Sequence, residues 1–419
     1  MHVEVSPVLL FLVQAILLIA VPFLLWRLTG AKRVTPMVVI QILFGIALGP
    51  SVLGAVAPDV WEALFAPASL APLSGLSWLA VALFAFLIGL HLDVTEFRGR
   101  GRAFLGVSLS SLAVPSALGA GLGLWIAGAL PSMAGPAASP GLFAAGFGVC
   151  LGVTALPVLG AILREMGLLE KRVGRLALGY AAVNDAMLWI LVTAVLAWTA
   201  GRGGDRVTWV AALGLGYLAV SAFIAKPLLE RLFDRVAPDG QVGDTAIVLT
   251  CAGLLASAAV TEAIGLHYIL GAFVAGTVMP KRLAEAILDR LEHFATLVLL
   301  PFFFTLTGLR VELDLSQPAL WTVFALSTVT TIAGKVLGTA LPARLAGESW
   351  ADAWTLGTLM PCKGLMEVIV LTILLDAGVL SVACFSALVL MAVVTTALTQ
   401  PMTLLVGRWA GTRQATAFR

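Results

Sequence analysis

The chain has 419 residues, of which 60% are hydrophobic and only 11% are charged, and its formal net charge is +2 at pH 7. A soluble domain of ordinary composition carries about 25% charged residues. So few charges could not cover the surface of a water-soluble fold, so the composition excludes an ordinary soluble protein and predicts a chain solvated mainly by lipid. The small net charge gives no support to a nucleic-acid partner.

Apolar runs long enough to cross a bilayer follow one another along almost the whole chain. A membrane helix needs about 20 mostly apolar residues. The runs that qualify are 7–26, 35–54, 73–91, 103–127, 141–163, 176–200, 207–225, 244–262, 265–280, 293–310, 318–341, 353–376 and 379–407. The sequence therefore predicts an all-α membrane protein with about thirteen transmembrane helices.

The loops between these runs are short, and none is long enough for a soluble domain. We therefore expect one transporter domain over residues 1–419, without a C-terminal nucleotide-binding regulatory domain. The first run has no basic segment before it, so it is predicted to be a membrane span and not a signal peptide. The cysteines lie in apolar runs and are predicted to fill the core, not to bind metal or form disulfides. They are Cys150, Cys251, Cys362 and Cys384.

Lysine and arginine residues alternate between loops as the positive-inside rule describes. If the N-terminus is outside, the outer loops hold Arg202, Arg206 and Arg310, and the membrane holds Lys335 and Lys363. The rest of the 25 basic residues then lie in inner loops or in the C-terminal tail. This distribution predicts a multi-pass protein of the bacterial inner membrane with an outer N-terminus and a cytoplasmic C-terminus.

Two of the predicted spans carry helix-breaking residues near their middles. The fifth contains Gly152, Thr154 and Pro157, and the twelfth contains Pro361 and Gly364. Proline removes a backbone donor and clashes with the preceding turn. Paired interruptions in the two halves of a transporter are typical of an inverted repeat whose substrate site lies at the breaks. Ordinary proline kinks are the alternative.

Four ionisable residues are predicted to lie well inside the membrane: Asp185, Lys335, Lys363 and Glu367. A charge at the bilayer centre costs at least about 2.5–3.5 kcal/mol on insertion scales. Asp185 is predicted to be the ion-binding group, because one carboxylate can hold either a proton or a cation and the two compete. A structural salt bridge to a lysine is the alternative for this residue.

Two polar residues are predicted to complete a monovalent-cation site with Asp185. Asn184 could add an amide oxygen, and Thr154, at the fifth-span interruption, could add a hydroxyl oxygen. Both residue types can also cap the freed backbone of a broken helix. The ligand role and the capping role therefore stay open for both residues.

The remaining charges in apolar runs are expected to support the site. Lys335 is expected to neutralise Asp185 or the end of a broken helix, with a stabilising role favoured over a transport role. Lys363 and Glu367 are spaced i, i+4 and are expected to pair on one helix face. Glu262 and His267, near an outer helix end, are weaker candidates for proton entry.

Sequence motifs of nucleotide hydrolysis, metalloproteolysis, nucleophilic hydrolysis and dinucleotide binding are all missing from the chain. We therefore expect a protein that is not an enzyme and that needs no cofactor. The expected partners are the transported cation, a proton and the lipid bilayer.

Several segments resemble the monovalent cation:proton antiporter-2 family, which includes bacterial Kef-type and Na+/H+ exchangers and plant cation/H+ exchangers. The first is 153–191, which contains the helix break and the motif VNDA. Residues 86–94 (FLIGLHLDV), 300–313 (LPFFFTLTGLRVEL) and 334–381 also resemble the family. The similarity thus spans nearly the whole chain from the third predicted helix onward.

The resemblance implies a Na+/H+ antiporter-like fold, in which an inverted repeat places two crossing broken helices in a mobile core domain. Core helices are expected at about 73–200 and 293–407. Scaffold helices, which would form a homodimer, are expected at about 1–54 and 207–280. Alternating access is expected to be elevator-like.

The resemblance also assigns roles to single residues. Asp185 matches the essential ion-binding aspartate, Lys335 the membrane lysine and Thr154 the broken-helix threonine. Asn184 stands where electrogenic members carry a second aspartate, which implies electroneutral exchange. His91 stands where an acidic residue is usual, so a gating role there is not supported.

The sequence therefore predicts secondary active exchange of Na+ or K+ for H+, in the service of pH homeostasis, with competition at Asp185. Three alternatives stay open. The scaffold could export an organic or ionophore-bound cation, it could sense a cation without transporting it, or it could be an anion or bile-acid-like symporter with a similar inverted repeat.

Overall fold

A computed structural model describes residues 6–30, 37–65, 67–91, 101–169, 171–200, 204–314 and 316–409. Within these ranges the chain is helical, and its β-pairing is an isolated bridge between Ala134 and Leu380. The α-helices are α1 (Pro7–Leu28), α2 (Met37–Leu48), α3 (Leu53–Val56), α4 (Pro58–Phe65), α5 (Pro67–His91), α6 (Gly101–Ala129), α7 (Pro140–Gly152), α8 (Leu156–Glu165), α9 (Arg172–Ala200), α10 (Gly204–Val220), α11 (Lys226–Val236), α12 (Asp244–Ala263), α13 (Tyr268–Val278), α14 (Ala284–Phe294), α15 (Leu300–Leu309), α16 (Pro318–Leu345), α17 (Trp350–Leu359), α18 (Leu365–Asp376) and α19 (Val382–Trp409).

Ten helical stretches in the described ranges are at least 18 residues long and apolar enough to cross a membrane. Two shorter apolar helices, α7 and α13, add to them. The predicted all-α membrane architecture is therefore confirmed. The number of about thirteen spans stays a prediction, because half-helices such as α7 and α8 are each too short to cross a bilayer alone.

Contacts along the chain group it into two compact units. The first comprises 1–24, 53–96 and 196–306, and the second comprises 25–52, 97–195 and 307–419. These boundaries differ from the core and scaffold ranges expected from the sequence. Those ranges concern movement during transport, so they stay a prediction.

In the first unit, glycines allow α5 and α13 to pack closely. A Cβ atom added to Gly89 would overlap the carbonyl oxygen of Phe273, and one added to Gly276 would overlap that of Phe86. Such small residues let membrane helices approach backbone to backbone. A π-helical turn joins α10 to α11, and another joins α14 to α15.

The second unit repeats one pattern twice along the chain: a long helix, a broken helix and a long helix. The first set is α6, the α7–α8 pair and α9, and the second is α16, the α17–α18 pair and α19. A serine caps the start of each broken element. Ser139 accepts a hydrogen bond from the Leu142 amide at 3.3 Å, and Ser349 accepts one from the Asp352 amide at 3.1 Å.

Both interruptions predicted from proline and glycine are confirmed. The first is an extended stretch over 153–155, and the second covers 360–364. Pro157 is the second residue of α8, where the missing backbone N–H has no helical partner to lose. Pro157 therefore restarts the helix without the loss of a helical hydrogen bond.

The two broken elements are also joined at the ends far from their interruptions. The segment before α7 runs beside the segment after α18, and backbone hydrogen bonds connect them. Gly135 N–H donates to Val379 at 2.9 Å, and Ala137 N–H donates to Gly378 at 2.9 Å. Gly378 has a φ of +69°, a left-handed conformation that glycine adopts without strain.

The packing of α6 against α7 predicts a position where even one methyl group is not tolerated. A Cβ atom added to Gly148 would lie 2.5 Å from the Ser116 carbonyl oxygen and 2.9 Å from the Ala120 nitrogen. We expect Gly148→Ala to lower the free energy of unfolding by about 1–3 kcal/mol. Thermal unfolding of the detergent-solubilised protein measures this change.

Gly121→Ala is the matched control, because a Cβ atom on this α6 glycine meets no atom within 4 Å. Alanine should leave stability unchanged or raise it, since glycine weakens helices by about 0.5–1 kcal/mol. Equal unfolding temperatures for the two variants would contradict the close α6–α7 packing.

Candidate functional site

The two interruptions of the second unit contact each other directly. Ala155 N–H, in the first break, donates to the Cys362 carbonyl in the second at 3.0 Å. The Thr154 hydroxyl donates to the Met360 carbonyl at 2.9 Å. The side chains of Thr154 and Cys362 are fully buried. Polar backbone groups released by one break are thus satisfied by the other.

Lys363 neutralises the C-terminal end of α7. Its ammonium donates to the carbonyls of Cys150 at 2.7 Å and Leu151 at 3.1 Å. It also forms an ion pair with Glu367 at 3.0 Å, and both side chains are 0% exposed. The last carbonyls of a helix lack partners and carry partial negative charge, which a cation stabilises. The predicted pairing of Lys363 with Glu367 is therefore present in the structure.

Lys335 acts on the C-terminal end of α17 through Thr154. Its ammonium donates to the Thr154 hydroxyl at 2.6 Å, and that hydroxyl donates to the Met360 carbonyl. Met360 is the C-cap residue of α17. The three groups form one directional chain from a cation to a helix end, in which each hydrogen bond polarises the next.

Asp185 lies near the middle of α9 and is fully buried. Neither of its carboxylate oxygens has a hydrogen-bond partner among the described residues. The backbone N–H of Leu156, at the start of α8, interacts with the carboxylate as a weak hydrogen-bond donor that falls short of normal hydrogen-bond geometry, and the charge of Lys335 acts on it across space. Lys335 and Asp185 nevertheless form no salt bridge. A buried carboxylate without a well-formed hydrogen bond is costly, and binding of a proton or a cation removes that cost.

Asn184 faces α6. Its amide nitrogen donates to the Ser111 hydroxyl at 3.0 Å, and both side chains are buried. Sequence reasoning does not identify Ser111, because its partner lies 73 residues away and a serine in a membrane helix is not a distinctive signal. The structure thus gathers Asp185, Thr154 and Lys335 around the breaks, with Asn184 beside them and directed to α6.

The weaker candidates for proton entry, Glu262 and His267, belong to the first unit. The Glu262 carboxylate accepts a hydrogen bond from the Tyr268 amide at 2.9 Å, so it caps the start of α13. The His267 ring packs on the Tyr268 ring with centroids 4.6 Å apart. Of the segment FLIGLHLDV, the His91 side chain and residues 92–94 lie outside the described residues.

A comparison with protein families identifies the chain. Residues 11–405 match the family model described as "Sodium/hydrogen exchanger, transmembrane". The chain belongs to this family. The resemblance inferred from the helix break and the surrounding motifs is therefore confirmed.

Relatives in the sodium/hydrogen exchanger family match over most of the chain. Cation/H(+) antiporter 17 of Arabidopsis thaliana is 36% identical over 377 residues, 88% of this chain and 45% of the relative. K(+)/H(+) antiporter 1 of Saccharomyces cerevisiae is 31% identical over 415 residues, which are 96% of this chain and 47% of the relative. The Na(+)/H(+) antiporter NhaS4 of Synechocystis is 31% identical over 406 residues, which are 95% of this chain and 97% of the relative. The chain spans about half the length of the plant and yeast relatives.

A solved structure shares the fold. The sodium proton antiporter MjNhaP1 from Methanocaldococcus jannaschii at pH 8 superposes with a TM-score of 0.69 at 12% sequence identity. The match covers 98% of this chain and 99% of that protein. The predicted Na+/H+ antiporter-like fold is therefore confirmed.

The buried pair of Lys363 and Glu367 predicts a large stability cost for the loss of one partner. Lys363→Met would leave the Glu367 charge unpaired and remove the donor to the end of α7. We expect a loss of about 3–5 kcal/mol in the free energy of unfolding, measured by thermal unfolding in detergent. Changing both residues to methionine should restore part of the loss, because no unpaired charge then remains buried.

Arg310→Met is the control, because Arg310 pairs with Asp376 at 2.9 Å while their side chains are 46% and 60% exposed. An exposed pair contributes about 0–1 kcal/mol. If the Lys363 and Arg310 variants lost the same stability, the buried pair would not have the role described.

Proposed function

We propose that this protein exchanges a monovalent cation, Na+ or K+, for a proton across a membrane, and that the two compete for Asp185. The observation that supports this most is the buried Asp185 carboxylate, whose oxygens have no hydrogen-bond partner among the described residues. The names of the relatives agree with it, since they are cation/H(+), K(+)/H(+) and Na(+)/H(+) antiporters.

Competition follows from the chemistry of a single carboxylate. A proton bound to Asp185 removes the charge that attracts a cation, and a bound cation opposes protonation of the same oxygens. If the carboxylate is reached alternately from the two sides of the membrane, each passage carries one ligand or the other. No cofactor is needed for such a cycle, because the gradient of one ion drives movement of the other.

The other proposed ligands are engaged in the structure. The Thr154 hydroxyl lies between Lys335 and the Met360 carbonyl, and the Asn184 amide contacts Ser111. We propose that Asp185 supplies the main ligand. The Thr154 hydroxyl donates its one proton to Met360 and accepts from Lys335, so a second lone pair remains with which it joins the cation. Lys335, Lys363 and Glu367 support the site through charge and do not contact the cation.

We further propose that the exchange is electroneutral. With Lys335, Lys363 and Glu367 charged throughout, the cluster carries the same charge whether Asp185 holds a proton or a monovalent cation. Asn184, next in the chain, adds no titrating group. One cation therefore replaces one proton without net movement of charge.

The setting proposed for this cycle is a multi-pass protein with the N-terminus outside and the C-terminus in the cytoplasm of a bacterial cell, present as a homodimer. The ten apolar stretches support the multi-pass arrangement. Export of an organic cation, cation sensing without transport and anion symport are not favoured, because the relatives are named as cation/H(+) exchangers.

Removal of the Asp185 charge should abolish exchange. In vesicles that contain a pH-sensitive dye and an imposed proton gradient, addition of Na+ or K+ should change the inner pH with the wild-type protein. Asp185→Asn and Asp185→Ala should show no change above empty vesicles, because neither side chain can exchange a proton for a cation. Rates with Na+, K+, Li+ and Rb+ would rank the cations.

Asp289→Asn is the control for loss of one carboxylate, since Asp289 is exposed on α14 in the other unit. It should exchange at the wild-type rate. Failure of the wild-type protein to respond to any alkali cation would disprove the proposed antiport.

Electroneutral exchange should not respond to membrane potential. A potential of about 100 mV changes the free energy of moving one net charge across the membrane by about 2.3 kcal/mol. If one net charge moved in each cycle, this would shift the equilibrium cation gradient about 50-fold. We expect the gradient reached in vesicles clamped at zero and at such a potential to be equal. A shift approaching that size would show that charge moves in each cycle.

A further inference from the structure

Ser111 and Asn184 form a polar contact between α6 and α9, next to the ion-binding aspartate. The Asn184 amide nitrogen lies 3.0 Å from the Ser111 oxygen, and the amide oxygen lies 3.3 Å from it. The Ser111 hydroxyl is also 2.7 Å from the Ser108 carbonyl, one turn earlier in α6. All of these groups are buried.

The distances assign the hydrogen atoms of this contact. A hydroxyl has one proton to donate, and the Ser108 carbonyl at 2.7 Å is its closest acceptor. The Ser111 oxygen then offers lone pairs to Asn184, so it accepts from the amide NH2. The amide orientation follows from the network, because an amide oxygen turned toward Ser111 would meet an oxygen with no proton left to give.

The helix α6 is well suited to position α9, because it also contacts the other elements of the site. Its Gly119 packs on Gly148 of α7, and its Pro115 packs on Gly334 of α16. Gly334 precedes Lys335, and α7 ends at the first break. Ser111 therefore connects the residue before Asp185 to the helix against which the lysine and the break are packed.

We propose that Ser111 is a positioning residue for the cation site: it holds the Asn184 amide on α6 and so fixes the rotation of α9 that presents Asp185 to the start of α8. Asn184 acts in this arrangement as a tether between helices and not as a cation ligand. The predicted effect of Ser111 on cation exchange rests on the proposed antiport at Asp185. The contact between Ser111 and Asn184 does not depend on that proposal.

Loss of the Ser111 hydroxyl should weaken cation binding more than it slows turnover. Without it, the Asn184 amide has no partner on α6 and can turn, which displaces Asp185 from its ligand geometry. We expect Ser111→Ala to raise the apparent KM for the transported cation roughly three- to tenfold, the effect of one buried hydrogen bond. The maximal rate, per folded protein in vesicles, should stay within about twofold, because the carboxylate itself is unchanged.

Ser108→Ala is a matched control on the same helix. Ser108 is equally buried, but its hydroxyl donates to the Phe104 carbonyl of its own helix, and the carbonyl that Ser111 uses remains. This variant should keep the wild-type KM. If the Ser108 and Ser111 variants gave the same KM, a general packing effect would explain both and the positioning role would be disproved.

A double-mutant cycle tests the tether without transport. Ser111→Ala, Asn184→Ala and the double variant are compared by thermal unfolding in detergent without added alkali cation. The Ser111 change should destabilise the wild-type protein but have little effect in the Asn184→Ala background, because the partner is already lost. Additive losses would disprove the contact. If the cycle showed coupling but the wild-type protein exchanged no alkali cation, the tether would stand, and the antiport and the KM effect would both be wrong.

Discussion

Broken helices inside an apolar interior need partners for their ends, and this requirement explains the charges of the second unit. Each interruption creates one C-terminal end and one N-terminal start away from water. Lysines stabilise the two C-terminal ends. Lys363 donates directly to a carbonyl at the end of α7, and Lys335 interacts with the end of α17 through the Thr154 hydroxyl. Carboxylates lie at the two starts: Asp185 near α8 and Glu367 in the first turn of α18. The signs match the helix dipoles.

The two carboxylates have similar positions but different partners, and this difference singles out the proposed working group. Glu367 forms a buried ion pair with Lys363, so its charge is already compensated within the protein. Asp185 has no such pair, since Lys335 is directed to Thr154. The arrangement therefore places the Lys335 charge near Asp185 without using the Asp185 oxygens, which have no well-formed hydrogen bond among the described residues.

Much of this architecture could be predicted from sequence, because its signals are local. Hydropathy defines most spans, proline and glycine mark both breaks, and the i, i+4 spacing of Lys363 and Glu367 predicts their pair. The direction of Asn184 and the particular partners of the Thr154 hydroxyl could not be predicted, although a capping role for Thr154 is one of the two that the sequence leaves open. Each depends on a partner in a distant segment, such as Ser111 for Asn184, and neither hydropathy nor spacing encodes such contacts. The predicted ligand role of Thr154 stays a prediction, whereas for Asn184 the tether to Ser111 is proposed in place of the predicted ligand role.

The backbone pairing between the segments before α7 and after α18 has a mechanical consequence. The broken elements contact each other at their interruptions. Backbone hydrogen bonds from Gly135 and Ala137 to Val379 and Gly378 also connect them at one end. Two elements joined at two points are restrained from rotating against each other about their crossing. If access to Asp185 alternates between the two faces of the membrane, as the proposed exchange requires, both broken elements would therefore move together as one body, with their four helix ends and the charges at those ends still in contact.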